Sequence, residues 1–184
     1  MSLNHPLQIR RATREHSLRL SILAAHVFID TYATDGVRES IAREIDELLS
    51  RDAFERHMLD VATSILIAEV SGHLVGYIHA ARGTRHAAVD AHSPVEIVRL
   101  YVQPRFAAQR IGTALLGQVE AEEHSAGTDV AWLTAWSGNH RALDFYARRG
   151  YGDRGPVVYS FQGEDYENTL FVKSLDANGT ATAR

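Results

Sequence analysis

Along this chain the spacing of apolar residues switches between a helical period and a period of two, and the switches divide it into elements. Residues 8–13 (QIRRAT) read as a short strand. Leu18, Ile22, Ala25 and Ile29 then recur at helical spacing, which predicts an amphipathic helix over 15–32 with these residues as its apolar stripe. The turn residues of ATDGV end it. Ile41, Ile45, Leu48 and Leu49 mark a second helix, read as continuing through Phe54 to Leu59. The period then becomes two. TSILIAEV and LVGYIHAA are β-rich runs joined by SGH, a hairpin signal. After a polar loop (RGTRHAAVDAHSP), VEIVRLYV is a strand and 109–124 a helix, with Ile111, Leu115 and Val119 on one face. DVAWLTAW is a strand, SGN a turn and HRALDFYARRG a short helix. PVVYSFQ and NTLFVKSL are the last two strands, flanking a tight GEDYE turn. The small polar residues from Asp176 onward predict a disordered tail, 176–184. No repeat or linker interrupts the pattern. Residues 1–175 therefore read as one α+β domain, its sheet mostly antiparallel with one parallel pair where helix 109–124 crosses over.

Composition narrows the function classes. With 184 residues, 45% of them hydrophobic, the chain can build one substantial core. No apolar run is long enough to cross a bilayer, and the first residues lack a signal-peptide pattern, so a membrane partner is not expected. The absence of cysteine excludes disulfides, cysteine–zinc sites and a thiol nucleophile, and fits a cytoplasmic protein. Ten histidines lie scattered without a His-x-x-x-His pair, so no metal site is expected. A net charge of −4 and a pI near 6.2 give no reason to expect a nucleic-acid partner, and they are compatible with a cationic small substrate.

Candidate chemistry concentrates in RLYVQPRFAAQRIGTALL, residues 99–116. A strand stops at Pro104, small and basic residues follow, and Gly112 opens a helix. A helix start presents unpaired N–H groups and a partial positive charge, which together attract phosphate. Ala107, Ala108 and Gly112 let the backbone approach an anion closely, while Arg105 and Arg110 add full charges. By themselves these residues fit a plain strand–loop–helix corner equally well.

The downstream WSGNHRALDFYARRGY adds Asn139 before a helix, Phe145 and Tyr146 within it, and Gly150 at its end. With this second segment the chain resembles the GNAT superfamily of acetyl-CoA-dependent N-acetyltransferases. The family pattern is matched in register at Leu100, Tyr101, Val102, Pro104, Ile111, Gly112, Leu115 and Leu116, and the order of elements fits across about 8–175. Two positions depart from it. Ala107 stands where the family usually has Arg or Gln, and Arg110 replaces a glycine. Arg110 adds charge if its φ is helical, and is strained if the backbone there needs a positive φ.

The resemblance implies a GNAT fold, a splayed six- to seven-stranded sheet flanked by helices. It implies that acetyl-CoA is the cosubstrate, its pyrophosphate on Ala107, Ala108, Gln109, Arg110, Ile111, Gly112 and Thr113. The pantetheine arm is expected beside the backbone of Leu100, Tyr101 and Val102, bonded by Asn139, with Tyr146 near the sulfur. The implied reaction is direct attack of a primary amine on the thioester. Glu96 is the candidate to drain the ammonium proton through water, or else a plain strand-end acid; Tyr146 is the candidate to stabilise the leaving thiolate, or else a core tyrosine. His86 and His92 are candidates to rim the substrate entrance, Trp136 to line the acceptor pocket or pack in the core, and Asp30, Tyr32 and Asp35 to recognise a cation. Within the family the pattern is most similar to bacterial polyamine (spermidine/spermine) N-acetyltransferases, on Phe28 through Tyr32, Glu96-Ile97, Trp132-Leu133 with Trp136, and SFQGEDYENTL. Acetylation of a peptide or protein amine, an amino acid or an antibiotic stays open, as does an acyl-CoA-sensing module without turnover. An uncovered edge strand near the C-terminus would permit a homodimer.

Overall fold

The computed structural model describes residues 6–175, so the expected disordered tail, 176–184, lies outside the described residues. The elements run β1 (Leu7–Arg11), α1 (Ser17–Tyr32), α2 (Glu39–Leu48), α3 (Arg51–Leu59), β2 (Thr63–Val70), β3 (His73–Arg82) and β4 (Pro94–Val102). A 3-10 segment (Pro104–Gln109) then leads into α4 (Ile111–Ser125), followed by β5 (Val130–Trp136), α5 (His140–Ala147), β6 (Gly152–Phe161) and β7 (Glu164–Ser174). The strands form one seven-stranded sheet in the order β1-β2-β3-β4-β5-β7-β6. Every pairing is antiparallel except β4 with β5, as the crossover through α4 requires. The fold is α+β.

Strand alternation builds a core on each face. In β2, Ile65 and Ile67 point toward α1, α2 and α3, where they meet Leu20, Leu23, Phe28, Ile41 and Phe54. Leu66, Ala68 and Val70 point the other way, onto Ile111, Leu115 and Val119 of α4. The sheet is therefore covered on both faces, and β4 and β5 run through its middle.

Four features differ from the sequence expectation. Helix α1 exists as expected but buries Leu20, Leu23, Ala24, Val27 and Phe28, while Leu18, Ile22 and Ile29 are exposed. It carries two apolar stripes, and spacing alone does not say which one the sheet covers. The helix expected to run through to Leu59 breaks at Leu49–Ser50. Ser50 is extended and its hydroxyl accepts from Ala53 N at 3.3 Å, capping α3 as a separate helix. The last hairpin turns on Gln162-Gly163, both at positive φ, and so on only the first residue of GEDYE; Glu164 and Asp165 already pair with Phe161 and Ser160. β6 is one edge of the sheet.

Helix α4 also starts later than expected, at Ile111, because Arg110 is left-handed with φ 61° and ψ 11°. A side-chain-bearing residue in that region costs about 1–2 kcal/mol, and glycine avoids the cost while losing about 0.5–1 kcal/mol in backbone entropy. Arg110→Gly should therefore leave stability unchanged or raise it by up to about 1.5 kcal/mol. A loss of that size in a urea titration would show that Arg110 is not strained.

Candidate active site

The parallel ladder between β4 and β5 is short. Only Pro94, Val95 and Glu96 pair with Val130, Ala131 and Trp132. Beyond Glu96 the two strands have no ladder between them, although β4 stays paired with β3 and β5 with β7. The directions of the open backbone groups follow from the register. Gln103 N bonds Val75 O at 2.9 Å, so the residues at alternate positions, Tyr101 and Arg99, face β3. Leu100 and Val102 then aim their N–H and C=O groups into the gap. From the other side, Ser137 N bonds Glu167 O at 2.9 Å, which directs Ala135 to β7 and leaves both backbone groups of Thr134 and the N–H of Trp136 facing the gap, the Trp136 carbonyl accepting from Asn139 N at 2.9 Å. An extended chain entering there meets unpaired hydrogen-bonding groups on both walls.

At one end of the gap lies the start of α4. Ala114 N is the first amide to bond back, to Arg110 O at 3.0 Å, so the amides of Ile111, Gly112 and Thr113 precede the helical ladder. A Cβ on Gly112 would come no closer than 3.7 Å to Phe145 and 3.8 Å to Val102. The protein does not need a glycine here for its own packing, so the smallness serves whatever approaches from outside. Arg149 donates to the Thr113 hydroxyl at 2.6 Å and lies over the Phe145 ring, bringing another cation to this corner. Free amides, a bare Gly112, and the cations Arg110 and Arg149 suit a pyrophosphate. The Gln109 side chain instead turns back to Arg105 O at 3.5 Å.

At the other side of the sheet opens a cleft of about 210 Å³, walled by Phe28 and Tyr32 of α1, Ile41 and Glu44 of α2, residues of β4, and Thr134, Trp136, Tyr159, Tyr166 and Asn168. The β4 contribution is Glu96, Val98, Arg99 and Tyr101. That set breaks strict alternation because β4 carries a bulge: Ile97 and Arg99 pair with the neighbours Ala80 and His79, leaving Val98 without a partner. Glu96 is held above the ordinary carboxylate range by burial, with Arg99 pulling the other way. His79, behind this wall, is pushed down to about 3 by desolvation, then by His57 and Arg99, so it adds no charge near neutral pH.

The expected site residues thus fall into three groups. Leu100 and Val102 face the gap; Tyr101 lies beside them but turns its side chain into the cleft. Residues 107–113 form the corner below. Asn139 sits at the N-terminus of α5, its Oδ1 accepting from Ala142 N at 3.1 Å, which leaves its amide NH₂ for another partner. Tyr146 is buried on the α4 side among Phe145, Tyr151 and Phe171. Burial, then the nearby Tyr32 hydroxyl, raises it above the usual tyrosine range. Glu96, Tyr32 and Trp136 line the cleft; Asp30 and Asp35 do not. His86 stacks on Trp132, whose indole N–H bonds Thr84 O at 3.0 Å, and neither His86 nor His92 reaches the cleft. Arg99, Glu44, Tyr159 and Arg149 were not legible beforehand. Only the bulge turns Arg99 inward, and the others arrive from distant elements. Among the described residues no group of three or more His, Asp or Glu is placed to hold a metal ion.

Gly112→Asp should fold as well as the natural chain, because a carboxylate near a helix start is favourable there. It should still weaken coenzyme A binding at least about tenfold, through like charge at the phosphate corner. Unchanged affinity in calorimetry would remove this corner from the site.

Comparison with known proteins agrees with this geometry. Residues 29–151 match the model of the acetyltransferase (GNAT) family. An uncharacterized N-acetyltransferase from Mycobacterium bovis is 30% identical over 156 residues, covering 85% of this chain and 96% of that protein. An aminoalkylphosphonate N-acetyltransferase from Salmonella typhimurium is 32% identical over 116 residues, 61% of this chain and 72% of that one. A PaiA N-acetyltransferase from Thermoplasma acidophilum, solved in complex with coenzyme A, superposes with TM-score 0.70 at 23% identity, covering 92% of this chain and 99% of that one. The short β4–β5 ladder, the phosphate corner and these matches together make the chain a member of the GNAT family, an acetyl-CoA-dependent N-acetyltransferase.

Proposed function

We propose that this enzyme acetylates a small primary amine held in the cleft, by direct attack across the β4–β5 gap. The observation that carries the proposal is the position of the gap, with the phosphate corner at one end and a cleft containing Glu96 on the opposite face. Acetyl-CoA supplies an activated acetyl group as a thioester. The amine nitrogen bonds to the acetyl carbon as the carbon–sulfur bond breaks, and the proton that the nitrogen sheds as the amide forms passes through water to the departing thiolate. The N–H groups of Leu100 and Val102 point where a carbonyl oxygen gaining charge would be stabilised. The amine must first be neutral, and for an amine of pKa about 10.4 that costs roughly 4 kcal/mol near neutral pH. Glu96 attracts the ammonium and receives its proton through water, and its raised pKa makes it a better base than an ordinary carboxylate.

A polyamine acceptor is supported by the sequence resemblance and by Glu44 and Glu96 in one cleft. Arg38 and Arg99 in the same walls oppose a second free ammonium. The Salmonella relative, named for aminoalkylphosphonates, supports a small-molecule acceptor. Thiol release from acetyl-CoA across a panel of amines tests the proposal. Turnover with small amines is expected, whereas coenzyme A binding without turnover on any amine would make the protein a sensor.

Glu96→Gln removes the charge and keeps the shape. Its turnover should fall most at neutral pH and recover partly as rising pH neutralises the amine. The sign for stability is opposite. A carboxyl raised in the folded state contributes stability that is present below its unfolded pKa and is lost as pH rises through the folded value, so at pH 7 the ionised Glu96 is a burden. The variant should melt no lower than the natural enzyme. A pH–rate profile parallel to that of the natural enzyme would show that Glu96 is not the base.

Tyr146→Phe should slow the chemical step about ten- to a hundredfold, the worth of one charge-assisted hydrogen bond of about 1.5–3 kcal/mol. The thiolate of a thiol of pKa about 8.5 does not take the proton outright from a phenol held above 10, so Tyr146 acts by hydrogen-bonding the thiolate as it forms. The loss belongs in kcat and not in the KM for acetyl-CoA. Unchanged single-turnover transfer with a lowered Tm would make Tyr146 a core residue only.

A further inference from the structure

Two opposite charges on β4 face the cleft without closing on each other or on any other side chain. Glu96 and Arg99 interact only through space, with no hydrogen bond or ion pair to either among the described residues. Their β3 partners, Ala81 and His79, are two residues apart, so the side chains leave the sheet about 7 Å from one another. The other charges in the walls are engaged. Arg38 pairs with Glu164 at 3.2 Å and donates to Tyr166 at 2.9 Å, and Glu44 accepts from the Tyr159 hydroxyl at 3.1 Å. Elsewhere even exposed arginines pair with buried carboxylates: Arg10 and Arg19 with Glu69, Arg82 with Glu123. Arg99 is the exception, and it lines the cleft because the Val98 bulge turns it there. Glu44 and the neighbouring tyrosines favour its charged form through space, but no side chain bonds it, so its donors stay open to an anion supplied from outside.

Resting on the acetyl-transfer reading of this same cleft, we propose that the acceptor is an amine tethered by a short spacer to an anionic group, a carboxylate or a phosphonate, with Arg99 binding the anion while the amine lies beside Glu96. Arg99 is then the specificity-determining residue. Its planar fork receives two oxygens of one anion, which an ammonium group cannot match. A zwitterionic acceptor neutralises both members of the open pair at once. A diamine of equal length places its second ammonium against Arg99 and leaves that charge unanswered.

The test compares three families of amines of matched length: ω-amino carboxylates and aminoalkylphosphonates, uncharged alkylamines, and diamines. With the natural enzyme, kcat/KM should be highest for one of the anionic families, and which one identifies the anion. Arg99→Gln should lower kcat/KM for that family roughly ten- to a hundredfold, chiefly through KM, while changing the uncharged amines little. Arg99→Lys should fall between, having the charge without the fork. Equal or better use of diamines, unaffected by Arg99→Gln, overturns the proposal. So does a loss in kcat of equal size for anionic and uncharged amines, because that would mean Arg99 only tunes the proton transfer. Calorimetry with the coenzyme A-loaded protein separates this from the broader reading. If no amine is turned over, but the anionic amine binds and Arg99→Gln abolishes its binding, the anion site stands and the acetyl-transfer reading falls. If anionic and uncharged amines bind alike in both variants, the anion site falls.

Discussion

The whole site depends on two strands that start paired and then part. β4 and β5 share a ladder over three residues and no further. A strand that stops pairing in the middle of a sheet leaves amides and carbonyls with no partner, which a fold normally avoids. Here the cost is held to one side of each strand, because β3 and β7 keep pairing the other sides. The result is a slot with hydrogen-bonding walls in the interior of a rigid sheet. An extended ligand arm entering this slot would complete the sheet as an added strand does, and the interaction that bound it would also fix its position.

The alternation of side chains then assigns the two faces of the sheet to different tasks. Ile97, Leu100 and Val102 pack toward α4, whose first turn holds the free amides. Glu96, Arg99 and Tyr101 face the cleft under α1 and α2. The bulge at Val98 matters to both. Without it Arg99 would follow Ile97 onto the α4 side, and the cleft would keep an acid but lose its free cation. One extra residue in one strand therefore sets the charge of the cleft while leaving the corner at the start of α4 unchanged.

Much of this was legible in the sequence, and the failures have common causes. The strand, Pro104, small residues and Gly112 announce a strand–loop–helix corner with free amides because backbone geometry there is local. The order of elements carried the fold. Local rules failed wherever two readings had equal local support. Leu18, Ile22 and Ile29 form as good a stripe as Leu20, Leu23 and Val27, and only the sheet decides between them. Arg110 could be helical or left-handed, and the start of α4 one residue later decides. The acceptor cleft was the least legible part. Tyr159, Tyr166, Glu44 and Arg99 come from four elements far apart in the chain, and the bulge that directs Arg99 has no marker such as glycine or proline. A site assembled by tertiary contacts leaves no spacing to read.

The measurement closest to the central claim is amide hydrogen exchange of the free protein and of the protein saturated with acetyl-CoA, followed residue by residue by NMR. Leu100 and Val102, whose N–H groups face the gap, should become strongly protected, together with Ile111, Gly112 and Thr113 at the start of α4. Tyr101 should change little, because its N–H is already directed to β3. Unaltered exchange at Leu100 and Val102 under saturating acetyl-CoA would contradict the account, since the parted strands would then not be where the cosubstrate binds.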